Sequence, residues 1–195
     1  MAGRGDLELV EGLRRGDPAA FDRAYEKYRA KVYGFLVRAC RRTDLADDLF
    51  QETWLSLARS APSLREDTDL GAWLFSVARN AWRSHRRWQL LDVSRWLVIG
   101  ATEEAIDERS PEDATAEARE TARLERALGE LPDAYREVLL LVGVEGMDQT
   151  RVAEVLGIGY PALRKRLSRA REMLASRLGM DAKSRLELAE KGGTP

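Results

Sequence analysis

Between Gln149 and Arg171 the chain reads QTRVAEVLGIGYPALRKRLSRAR, and that spacing leaves few folds open. Ala153 lets two helices cross closely, Gly157 four residues later supplies the turn, and Leu163 six further on plugs the core. Val152, Leu156 and Ile158 fill the other apolar positions. In the second segment Leu163, Leu167, Ala170 and Leu174 recur at i, i+4, i+7 and i+11, the apolar stripe of a helix. The opposite side carries Arg164, Lys165, Ser168 and Arg169, with Arg166 and Arg171 on the flanks. This predicts a helix-turn-helix whose second helix offers a cationic, hydrogen-bonding surface. In such a motif that helix lies in the major groove, where Arg and Lys donate to guanine O6 and N7. The alternative is an ordinary solvated helix. A solvated face mixes signs, however, and Glu172 is the only acidic residue between Arg164 and Arg177.

The other segments also follow helical periodicity, and strand-like alternation is absent, so the expected fold class is all-α. Asp17-Pro18 opens a helix through Ala20, Phe21, Ala24, Tyr25, Tyr28, Val32, Phe35 and Leu36. Thr43, followed by Asp44 and Asp47, reads as the N-cap of a helix running to about Arg59, with Leu45, Leu49, Trp54, Leu55 and Leu57 as apolar members. Residues 60 to 69 are a polar loop. Leu70 to about Trp88 is a helix burying Trp73, Leu74, Val77 and Ala78 while turning Asn80, Arg83, Ser84, Arg86 and Arg87 outward. Trp82 and Trp88 are expected to pack, although stacking on DNA is open to them. From Gln89 the pattern fails: Leu90, Leu91, Trp96, Leu97, Val98 and Ile99 keep no period. Helicity resumes near Thr115, runs to Leu131-Pro132, and continues from Asp133 to Val144. The domains expected are therefore residues 8–88, a linker 89–116, a second domain 117–179 and a polar tail 180–195.

Charge sharpens this division. The 195 residues carry a formal net charge of −1, which excludes a uniformly basic nucleic-acid binder. The signs are segregated, with RSHRR at 83–87, RKRLSRAR at 164–171, and seven acids against Arg109 between residues 101 and 117. That distribution predicts DNA contact at two places and a different task between them. Catalysis is not expected: the single histidine, His85, sits in a basic run, and no nucleophile–base set, metal cluster or phosphate loop is apparent. No metal, cofactor or small-molecule substrate is expected. The single cysteine, Cys40, fits a reducing cytosol and reads as a small apolar filler. No signal core or membrane-length apolar run is present, so a soluble cytoplasmic protein without membrane insertion is expected.

Four stretches in order resemble the bacterial extracytoplasmic-function RNA polymerase sigma factors, over about residues 9 to 178. LVEGLRRGDPAAFDRAYEKY is similar to their opening helix, ADDLFQETWLSLAR to their polymerase-binding helix, and GAWLFSVARNAWRSHRR to the helix facing the upstream promoter element. LPDAYREVLLLVGVEGMDQTRVAEVLGI, followed by LRKRLSRAR, resembles their promoter-reading domain.

The resemblance implies a region 2 that docks on the clamp coiled coil of core polymerase through Asp47, Asp48, Gln51, Glu52 and Leu55, with Trp54 or Leu55 as the anchor. It assigns the minus-ten element to Arg65, Glu66, Asp67, Thr68, Asn80, Arg83, Ser84, Arg86 and Arg87. It assigns the minus-thirty-five element to Tyr160, Arg164, Lys165, Ser168, Arg169 and Arg171 in region 4. The partners implied are core polymerase (clamp coiled coil and flap), promoter DNA both double-stranded and melted, and an anti-sigma factor. Family members thread the connector through the active-site cleft and RNA exit channel. Glu103, Glu104, Asp107, Glu108, Glu112 and Asp113 would there mimic RNA, or else act as a self-repelling spacer. Pro161-Ala162-Leu163 departs from the family's usual Gly-Thr-Val, and Lys165 and Ser168 depart too, so the upstream sequence read is not given by relatives. Two other readings compete. A stand-alone helix-turn-helix regulator would bind its operator tightly when free, and an enzyme with a DNA-binding accessory domain would need catalytic groups that are missing.

Overall fold

The computed structural model describes residues 4–93 and 115–179; the acidic stretch at 101–114 and the expected tail lie outside the described residues. Across the described residues there are eight α-helices and no strand, as the periodicity required. The chain divides into two units, residues 1–106 and 107–195.

In the first unit α1 (Arg4–Arg14), α2 (Pro18–Cys40), α3 (Thr43–Ser60) and α4 (Leu70–Val93) form a bundle, with a 3-10 turn at Ala61–Ser63. Asp17 caps α2 by accepting from the Ala19 N–H at 2.9 Å, and Pro18 fills the first turn, where no donor is needed. Arg41, in the left-handed region at φ 59°, ends that helix. Gly12 marks the closest crossing of α1 on α2, since a Cβ there would lie 2.5 Å from the Cβ of Ala20. The buried Asp6 ties the same two helices, accepting from Lys27 Nζ at 2.8 Å and the Tyr28 hydroxyl at 2.7 Å. Phe35, Leu36, Leu57, Leu70, Leu74 and Trp82 fill the interior.

Three expectations change here. The N-cap of α3 is Arg42, with extended backbone and no side-chain cap; Thr43 is already helical. The Arg42 guanidinium turns instead to the Asp44 carboxylate. Helix α4 does not stop at Trp88 but continues as helix to Val93, with no Gly or Pro between the two to break it. Trp73 and Val77 are only half-buried, whereas Phe75 and Trp82 are buried.

The second unit contains α5 (Ala116–Gly129), α6 (Asp133–Leu139), α7 (Gln149–Leu156) and α8 (Tyr160–Arg177). The helix expected over 133–144 widens into a π-helical turn at Leu140–Val144, with Glu145 N–H on Leu140 O at 2.9 Å. Its core is aliphatic: Leu131, Val138, Leu140, Leu141, Val152, Leu163 and Leu167. Two charged residues, Arg136 and Glu137, are buried with it. Toward its end α8, already packed on α6 and α7, gains a third neighbour, α5, through Arg123 on the Leu178 carbonyl and Arg177 on Glu130 at 2.5 Å. The apolar stripe accordingly drifts by one position, so that Ala175 is buried and Leu174 half-buried.

Candidate nucleic-acid and partner interfaces

Helix α3 presents Asp47, Asp48, Gln51, Glu52 and Leu55 to solvent. At 100° per residue these five span a fan of about 140°, with Leu55 near its middle and acids on both sides. Leu55 keeps 57% of its surface exposed, an apolar residue ringed by carboxylates. Tyr33 on α2 steadies one edge of the fan, its hydroxyl donating to Asp47 Oδ1 at 2.8 Å. That bond, then burial and the nearby charge, raise the tyrosine's pKa above its ordinary value. Trp54 is not on this surface. It is buried, edge-on to Phe21, Tyr25 and Phe50, so of the two residues only Leu55 lies on this surface.

The segment after the 3-10 turn is less polar and less free than its composition implies. Leu64 is buried and pins its start, while Asp69 Oδ1 accepts from the Ala72 N–H at 2.9 Å and caps α4 at its end. Between them Arg65, Glu66 and Asp67 are exposed and Thr68 half-buried. Arg65 grips Asp67 through two bonds, at 3.0 and 2.9 Å, which holds the Asp67 carboxyl below its usual range and raises the guanidinium. Glu66 accepts from Arg14 Nη1 at 2.7 Å across a groove that Leu7 and Glu11 of α1, and Arg15 just after it, share with Pro62. Sequence reasoning missed Arg14, which lies 52 residues from its partner with no local signal to link them.

From this loop α4 carries Asn80, Arg83, Ser84, Arg86 and Arg87 outward, all exposed. His85 is half-buried. Trp82 packs inside as expected, but Trp88 does not, being 71% exposed where α4 outruns the bundle.

In the second unit the helix-turn-helix is built as the spacing demands. Asp148 caps α7 through the Thr150 N–H at 2.9 Å. Gly157 ends it at φ 65°, a conformation costly for other residues, and Ile158 N–H returns to Ala153 O at 3.0 Å. Leu163, Leu167 and Ala170 then seat α8. Arg164, Lys165 and Arg169 are exposed and Ser168 half-buried, on one face of the helix about 140° wide. Ser168 donates to Glu172 Oε1 at 3.1 Å. Tyr160, 44% exposed at the first position of α8, and the half-buried Arg171 lie at one edge. Burial lowers the Arg171 pKa from its ordinary value. Arg166, at the other edge, faces inward to the buried Glu137 at 3.7 Å.

Two compact helical units, one with an acidic face beside a capped loop and a basic helix, the other a helix-turn-helix, are the architecture of a sigma subunit. Residues 24–89 match the family model of Sigma-70 region 2, and residues 121–174 that of Sigma-70, region 4. The chain is 32% identical over 182 residues to the ECF RNA polymerase sigma factor BldN of Streptomyces coelicolor, covering 91% of this chain and 67% of that one. It is 30% identical to the ECF RNA polymerase sigma factor SigM of Mycobacterium tuberculosis, covering 90% and 86%. Among solved structures it resembles CnrH in complex with the cytosolic domain of CnrY, at a TM-score of 0.67 and 25% identity over 91% of this chain and 99% of that one. The chain belongs to the extracytoplasmic-function RNA polymerase sigma factors. Among the described residues no helix is long and apolar enough to cross a membrane.

Proposed function

We propose that this chain acts in the cytoplasm as a non-catalytic sigma subunit, through three surfaces with separate tasks. The acidic fan of Asp47, Asp48, Gln51 and Glu52 docks on the basic clamp coiled coil of core polymerase, with Leu55 as its apolar centre. The Arg65–Thr68 loop takes the base pulled from the minus-ten element, and Asn80, Arg83, Ser84, Arg86 and Arg87 hold the adjacent backbone. Unstacking a base costs a few kcal/mol, which a polar pocket and phosphate contacts must offset. Arg164, Lys165, Ser168 and Arg169 read base edges at the minus-thirty-five element, with Tyr160 and Arg171 at the rim of that contact. Region 4 also meets the polymerase flap. A regulatory protein of the anti-sigma type is a further partner, as CnrH is held by the cytosolic domain of CnrY. The functional domains follow the boundaries 8–88 and 117–179.

The observation that carries this reading is Leu55 exposed amid carboxylates on α3. A stand-alone operator-binding regulator has no use for an acidic surface with an apolar centre beside its DNA-binding helix; a subunit that bridges a basic protein and DNA requires both. The test is Asp48→Arg, which sets like charge against the basic coiled coil and costs several kcal/mol at a docked contact. Core affinity is measured by fluorescence titration, with circular dichroism as the folding control. A well-folded variant that binds core normally removes the assignment. Tight promoter binding by the free chain would favour the stand-alone regulator.

A further inference from the structure

Trp88 follows the buried Trp82 by six residues on α4, yet 71% of its surface is exposed. It is not an isolated blemish on a neutral surface. At 100° per residue Asn80, Arg83, Ser84, Arg87 and Trp88 share a fan of about 140°. Arg86 and Arg87 immediately precede it, both exposed. An apolar ring so surrounded is poorly suited to another apolar protein surface, which would strip water from the guanidinium groups. It suits a polyanion that also offers apolar area. Duplex DNA does so, through deoxyribose faces and the thymine C5-methyl group in the major groove.

Position along the helix narrows the contact. With a rise of 1.5 Å per residue, Trp88 stands about 27 Å along α4 from Leu70, where the Arg65–Thr68 loop joins the helix, so its contact falls within about eight base pairs of the loop's. With the loop on the melted base, the far end of α4 lies on DNA that is still paired. We propose that Trp88 packs its indole on the duplex just upstream of the melted element, against a thymine methyl and the neighbouring sugar, while Arg83 and Arg87 hold the flanking phosphates. The inference rests on the sigma-factor reading of region 2 and adds to it a thymine preference at one upstream position.

The test uses full-length chain reconstituted with core polymerase, on a promoter fragment selected by the wild-type holoenzyme from a randomised library. Trp88→Ala should weaken promoter binding about fivefold to tenfold, the scale of one lost specific contact. The salt dependence should stay unchanged, because no phosphate contact is removed. Arg87→Ala should instead reduce the salt slope by about one. Replacing the selected upstream thymine by deoxyuridine removes only its methyl group. That change should weaken the wild type and leave Trp88→Ala unaffected. On a fragment truncated before the upstream duplex, wild type and Trp88→Ala should bind equally. A Trp88→Ala holoenzyme that matches wild type on the full promoter overturns the proposal, as does a defect that survives the truncation. So does a Trp88 shielded from acrylamide in the free chain, read as the fluorescence difference from Trp88→Phe, since the chain itself would then be the occupant. Failure of the wild-type chain to bind core or select any promoter is a separate result, and it removes the sigma-factor reading instead.

Discussion

The two units bury different chemistry. In the first, rings meet rings: Phe35 and Phe75 at 5.6 Å and 90°, Tyr25 and Trp54 at 4.8 Å, and Tyr33 with Phe50 at 5.5 Å. Every aromatic pair among the described residues belongs to that unit. The second unit packs aliphatic side chains around a buried Arg136 and Glu137, with α6 and α7 only 7 and 8 residues long. Large side chains on long helices give the first unit a core that tolerates charge on several outer faces. Among the described residues the second unit has fewer buried apolar side chains, and polar groups reach into its core. Arg136 bonds the Leu131 carbonyl at 3.0 Å and Asp133 at 2.9 Å, and Glu137 faces Arg166.

The sharpest way to break this contrast is Trp82→Ala. Removing a side chain only 1% exposed should cost about 3–5 kcal/mol. Hydrogen exchange should show the loss across α1 to α4 while α5 to α8 keep their protection. Loss of protection in both units would mean that their stabilities are coupled. Next comes Glu137, whose side chain is 1% exposed against 28% for its partner Arg166. Glu137→Ala leaves a cavity and unmatched polar groups, for an expected loss of about 2–3 kcal/mol in urea unfolding. Glu137→Leu keeps the volume and should lose less than about half of that, since buried ion pairs are weak sources of net stability. A leucine variant as damaged as the alanine would show that the carboxylate itself holds α6 to α8.

The smallest effect is expected at Tyr33→Phe, worth less than about 1 kcal/mol because one half-exposed hydrogen bond is lost. Its pH profile is diagnostic. The folded pKa of Tyr33 lies above the unfolded one, so the bond contributes fully at pH values below the unfolded pKa. The contribution fades as pH climbs through the raised value. The difference in stability between wild type and Tyr33→Phe should therefore be flat at neutral pH and shrink in strong alkali. A difference that grows with pH would contradict the Tyr33–Asp47 bond.

Local signals made most of the fold legible. Asp17-Pro18 started α2, Gly157 made the turn, and the 3.6-residue stripe seated Leu163, Leu167 and Ala170, because each depends on neighbours within two helical turns. Features depending on distant residues were not legible. Nothing near Arg166 announces Glu137, and nothing near Glu66 announces Arg14. The choice between Trp54 and Leu55 stays open in the sequence because periodicity cannot say which partner helix covers a residue; α2 covers Trp54. Helix α4 was read too short because its last turns leave the bundle, where no apolar face has to be kept and the period vanishes although the helix persists. The same overrun explains Trp88. The exposed fan on α3 and the outer face of α8 were both visible in outline, since they are what remains after the buried stripe is subtracted.

The seating of α8 has a consequence for how such a protein changes over generations. The helix is seated by Gly157, the Asp148 cap, three inward side chains and the Arg166–Glu137 pair, none of which lies among Arg164, Lys165, Ser168 and Arg169. The outward residues can therefore be rewritten one at a time without unseating the helix, and without touching the acidic fan on the other unit. On the proposed assignment of the two faces, a lineage can move to a new set of genes while keeping its attachment to the transcription machinery, and an engineer can retarget the chain by exchanging the residues of one helical face.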